Sequence, residues 1–84
     1  MHSFGKFVKA RLVESGVSIT EIARRSGEDP RTVSHILRGK RTNRAEPVLK
    51  EIAVATGLRY GDLVEMYGVN HSVKTYHTFR REVA

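Results

Sequence analysis

At 84 residues, with no cysteine and a net charge of +6, the chain is long enough for one modest hydrophobic core and too short for a deep catalytic cleft with its own supporting shell. The absence of cysteine excludes a disulfide framework and a thiolate metal cage, so folding must rest on packing alone, as a reducing cytoplasm allows. Lys6, Lys9, Arg11 and Glu14 interrupt the N-terminal segment and exclude a signal-peptide core, and no later run is apolar enough to span a bilayer; a soluble cytoplasmic protein with no membrane association is expected.

Five helices are predicted in chain order. The first covers Ser3 to Ser15, with Phe4, Phe7, Val8 and Leu12 and the stem of Arg11 on one side, and Gly16 closes it with a left-handed cap. The second opens on the capping-box pattern Ser18-Ile19-Thr20-Glu21, in which the serine oxygen and the glutamate carboxylate each take up an unpaired backbone amide. Gly27 follows after only two turns, so the chain must bend there. Asp29 is placed to cap the third helix and Pro30 to fill its first position, where a missing amide hydrogen costs nothing; Gly39 ends it. The fourth helix runs from about Glu46 to Thr56, with Pro47 in its first turn and Val48, Leu49, Ile52 and Ala53 at core spacing, and Gly57 terminates it. The fifth, Tyr60 to Tyr67, is short and buries Leu63 and Met66. There is no internal repeat, low-complexity run or interdomain linker.

The third helix carries the functional signal. With Val33 set at zero and about 100° per residue, Ile36 and Leu37 fall within about 60° of it, while Arg38, Arg31 and His35 fall near 140°, 160° and 200°. One stripe anchors the helix; the other presents long hydrogen-bonding side chains outward, flanked by Thr32 and Ser34. The charge is concentrated in the same region. Residues 24–44 hold Arg24, Arg25, Arg31, Arg38, Lys40, Arg41 and Arg44 against Glu28 and Asp29, which places +5 of the excess in a quarter of the chain. Such localisation suits a polyanion, because neutralising phosphates releases condensed counterions. A helix with this outer face fits the DNA major groove, where the arginine fork meets guanine O6 and N7 together.

The segment SITEIARRSGEDPRTVSHILRGKR, Ser18 to Arg41, resembles the helix-turn-helix of the phage-repressor family, the lambda-repressor and Cro type. Ile22, Ala23, Gly27, Val33 and Ile36 carry the likeness, which extends through the five-helix order over residues 4–67. The resemblance implies an all-α, five-helix lambda-repressor-like DNA-binding domain over residues 1–68, with Ala23 letting two helices cross closely, Gly27 making the turn, and Val33 and Ile36 seating the recognition helix. It implies base contacts from Pro30, Arg31, Ser34 and His35. It also implies backbone contacts from Ser18, Thr32, Arg38, Lys40, Arg41, Thr42, Asn43 and Arg44, which position the protein and carry little sequence information. The chain departs from the family pattern in two respects. Ile19 stands where relatives often place a phosphate-binding glutamine, and Ser26 and Glu28 stand where apolar residues are usual.

Residues 69–84 form a C-terminal tail. Val73, Thr75, His77 and Phe79 alternate with polar or charged neighbours as in an edge strand, while Val69, Val73, Tyr76 and Val83 fit a helical stripe equally well; sequence does not decide between them. Either form leaves apolar groups for a self-complementary contact, so Val73, Tyr76 and Phe79 are assigned to dimerisation, which would match a palindromic operator.

Other chemistry has little support. His71 and His77 are six residues apart with no cysteine beside them, which does not make a zinc site. His35 has no placed acid or nucleophile, and there is no phosphate-cradling glycine loop; neither an enzyme nor a cofactor is expected. The competing class is a protein-binding module. Small domains of the resembled fold also serve as antitoxins or as regulators that dock a partner, so a toxin or antagonist protein is the alternative ligand of the basic face. Expected on balance is a dimeric repressor that binds double-stranded DNA.

Overall fold

A computed structural model describes residues 3–40 and 42–69. They form α1 (Ser3–Ser15), α2 (Ile19–Ser26), α3 (Pro30–Leu37), α4 (Ala45–Thr56) and α5 (Tyr60–Val69), with no strand among the described residues. The all-α, five-helix architecture read from sequence is the one observed. The fourth helix starts one residue earlier than expected and the fifth runs two residues further. Arg41, Val73, Tyr76 and Phe79 lie outside the described residues.

Periodicity explains the core. Phe4, Val8 and Leu12 project from one face of α1, Ile22 and Ala23 from α2, Val33, Ile36 and Leu37 from α3, Ala45, Val48, Leu49 and Ile52 from α4, and Leu63 and Tyr67 from α5. These residues repeat at three- and four-residue intervals, which stack on one side of a helix. Phe7, Ala53 and Met66, expected inside, are half-buried at the margin; the Phe7 ring instead lies under the Arg11 guanidinium, 5.1 Å from its centroid. Tyr67, expected only to end the last helix, belongs to the core and meets Phe4 with ring centroids 5.8 Å apart. α2 packs on α3 and α4, α1 on α4 and α3, and α5 on α4.

The helix ends follow local chemistry. Ser18 Oγ accepts from the Glu21 amide at 3.0 Å, and Asp29 Oδ1 from the Arg31 amide at 2.7 Å, so both short helices start on a side-chain cap. The reciprocal half of the capping box is not made: the Glu21 carboxylate turns to Arg24 and Arg25, whose charge attracts it more strongly than the neutral Ser18 amide. Gly27, at φ 74°, ends α2 in the left-handed region, and the Glu28 amide reaches back to the Ala23 carbonyl at 2.9 Å. Gly39, at φ 86°, does the same for α3, with the Lys40 amide on the His35 carbonyl at 2.9 Å.

Gly5 sets how closely α1 approaches the end of α3. A Cβ at this position would lie 2.4 Å from the Leu37 carbonyl oxygen, which is backbone and cannot rotate away. Gly5→Ala is therefore expected to destabilise the protein by about 1–3 kcal/mol through forced displacement of α1 from α3. Urea unfolding checks this; unchanged stability would contradict the close approach.

Candidate nucleic-acid interface

The two sides of α3 are divided as the helical projection requires. Val33, Ile36 and Leu37 are buried, whereas Pro30, Arg31 and Arg38 are exposed and Thr32, Ser34 and His35 are half-exposed. Lys40, Asn43 and Arg44, in the segment leading to α4, are exposed, and Thr42 is half-exposed. Thr42 Oγ1 accepts from the Arg44 amide at 3.2 Å, which leaves its hydroxyl proton available to an anion. Ser18 is exposed at the start of α2, with its oxygen occupied as a cap. α3 and the segment after it thus bring most of the assigned residues together on consecutive stretches of chain. Ser18 is on a separate stretch, at the N-cap of α2, the helix that packs on α3.

The basic side chains separate into two groups. Arg24 and Arg25 converge on Glu21: Arg24 Nε donates to Oε1 at 3.2 Å and its Nη2 to Oε2, while Arg25 Nε donates to Oε2 at 2.8 Å. Hydrogen bonds from Arg24, then from Arg25, hold the Glu21 carboxyl at about 2 against an ordinary 4.5, and the Arg24 guanidinium is pushed up in turn. Arg44 Nη1 is paired with Glu28 Oε1 at 3.0 Å. By contrast, among the described residues the side chains of Arg31, Arg38 and Lys40 form no ion pair. Within the basic stretch 24–44, the described cations without an ion pair therefore lie on α3 and just beyond it; Lys6, Lys9, Arg11 and Arg59, elsewhere on the surface, form none either.

Both departures from the expected pattern are accommodated. Ile19 is half-buried and, with Leu12, Val13 and Val17, lines an apolar groove of about 220 Å³ between α1 and α2, where its side chain packs instead of reaching outward. Ser26 Oγ donates to the carbonyls of Ile22 at 2.8 Å and Ala23 at 3.2 Å, so its hydroxyl is satisfied inside the last turn of α2. Sequence reasoning missed the partners of Glu28 and Tyr67. The Tyr67 hydroxyl donates to the Lys40 carbonyl at 2.6 Å; pairs 16 and 27 residues apart leave no periodic signal.

A helix-turn-helix family model matches residues 8–63, two thirds of the chain. The protein belongs to the helix-turn-helix family. Its matched segment spans most of α1, the α2–turn–α3 unit, α4 and the start of α5, and it is a DNA-binding domain of the kind found in transcriptional regulators. No curated protein and no solved structure gives a significant match. Among the described residues of this helix-turn-helix protein, no cluster of three or more histidine and acidic side chains is arranged to hold a metal, and no helix is long and apolar enough to cross a membrane.

The Glu21 fork yields a pH prediction. A carboxyl whose folded value lies below its unfolded value adds stability above the ordinary 4.5 and loses it as pH falls toward about 2. Solvent screening keeps the effect small at an exposed site. Glu21→Gln should therefore lower the denaturation midpoint at pH 6, with the gap to wild type closing between pH 4.5 and 2. A gap independent of pH would show that the fork does not stabilise the fold.

Proposed function

We propose that the protein is a transcriptional repressor of the Cro type, from a phage or prophage, which binds a palindromic operator as a homodimer. α3 enters the major groove, with Pro30, Arg31, Ser34 and His35 against the base edges. Arg31 and His35 read most of the sequence, and Arg31 offers its planar fork to a guanine. Ser18, Thr32, Arg38, Lys40, Arg41, Thr42, Asn43 and Arg44 grip the sugar-phosphate chain on either side. Two copies joined through Val73, Tyr76 and Phe79 place their recognition helices on half-sites about one helical turn apart. Occupancy of the operator then follows protein concentration and competition for sites.

The observation that carries this proposal is the division of α3: three apolar residues are sealed into the core while Arg31 and Arg38 stay exposed and unpaired among the described residues. A helix stabilised only as a surface element would be served as well by paired charges, as α2 is. Unpaired guanidinium groups beside small side chains suit a ligand that supplies the anion.

Selection of bound fragments from a random DNA library defines the operator and the half-site spacing, and two substitutions then separate base reading from phosphate gripping. Arg31→Ala should lose about 1–3 kcal/mol on the selected site and relax preference at one base pair, with little loss on random DNA. Equal loss on both would refute base reading. Lys40→Ala should weaken all sequences alike and reduce the salt slope by about one unit; a slope unchanged from wild type would remove Lys40 from the phosphate contacts.

A further inference from the structure

The chain between α3 and α4 is braced at both ends by groups outside it. At its start, the Lys40 carbonyl accepts from the Tyr67 hydroxyl at 2.6 Å, and the tyrosine ring is itself lodged in the core against Phe4. At its end, Arg44 Nη1 donates to Glu28 Oε1 at 3.0 Å, which ties the segment to the turn of the helix-turn-helix. The Glu28 side chain is only 12% exposed whereas that of Arg44 is 64% exposed. The acid is therefore the fixed member of the pair and the arginine the one it holds. Between these braces, the Thr42 hydroxyl oxygen accepts from the Arg44 amide at 3.2 Å and the Thr42 carbonyl from the Ala45 amide at 3.4 Å, which folds Thr42 to Arg44 back onto the start of α4.

We propose that Glu28 and Tyr67 are positioning residues for phosphate binding, which set Lys40 and residues 42–44 in their DNA-bound arrangement before a duplex arrives. The inference rests on the DNA-binding function proposed above and adds two residues that touch no DNA. Ordering a segment in advance removes that cost from association. An acid on a DNA-facing surface otherwise only repels phosphates, so its place here calls for a compensating role, and the held guanidinium supplies one. Arginine has five donors, so Arg44 can rest on Glu28 and still meet a phosphate.

The sign of one substitution distinguishes positioning from charge. Glu28→Ala makes the protein more positive, so electrostatics alone would tighten its binding to any polyanion. Loss of the brace would weaken it. The test is a salt series of binding to a short labelled duplex by anisotropy, with thermal melts showing that each variant is folded. Glu28→Ala and Tyr67→Phe should each bind about three- to tenfold more weakly, as expected for one lost hydrogen bond, with the wild-type salt slope. Equal or tighter binding by Glu28→Ala, wild-type affinity in Tyr67→Phe, or a slope reduced by a unit in either overturns the positioning role. Wild-type protein that fails to bind DNA at low salt overturns the proposed function and this inference with it. Wild-type binding alongside unaffected variants overturns this inference alone.

Discussion

The structure depends on the seating of α3. An eight-residue helix is too short to persist by itself in water, and its two caps only define where it starts and stops. Its persistence comes from Val33, Ile36 and Leu37, which are almost wholly removed from solvent, at about 1.5–3 kcal/mol for each buried side chain. Because these three residues occupy one side of so short a cylinder, the remaining positions have no choice but to face outward. A stable outward-facing polar surface is thus a geometric consequence of the core, and Gly5, which lets α1 close over the Leu37 carbonyl, is part of the same arrangement.

Charge on the basic stretch is divided between paired and unpaired side chains. A net +5 over residues 24–44 looks uniform in the sequence, but Glu21 gathers Arg24 and Arg25, and Glu28 gathers Arg44. These acids remove part of the self-repulsion that a basic surface imposes on its own fold. Within residues 24–44 they leave Arg31, Arg38 and Lys40 as the described cations without an ion pair, on the surface proposed to meet the duplex.

Much of this was legible in the sequence because it is periodic or chemically local. Ser18, Asp29 and Pro30 announce helix starts, Gly27 and Gly39 announce stops, and the 3.6-residue spacing of Val33, Ile36 and Leu37 fixes the buried side of α3. Where sequence reasoning fell short, the deciding contact was distant or competitive. The Glu21 carboxylate had a neutral amide and two guanidinium groups within reach, and only three-dimensional placement shows the arginines winning. Tyr67 looked like the end of an amphipathic helix, yet its ring fills the core beside Phe4 while its hydroxyl satisfies a carbonyl 27 residues earlier. Glu28 read as an anomaly in the turn until Arg44 was found beside it. The assignment of individual bases and phosphates depends on the shape of a second molecule, which the chain alone does not encode.

The central claim is that the outer side of α3, with the segment that follows it, is the surface a duplex covers. Amide chemical shifts followed by NMR during titration with duplex DNA at low salt test it most directly. The account predicts that perturbations concentrate on residues 30–44 and the start of α2, while amides near the exposed Val13 of α1 and Val54 of α4 stay unmoved. Perturbations centred on α1 or α4, with Arg31 and Ser34 unaffected at saturation, would contradict it.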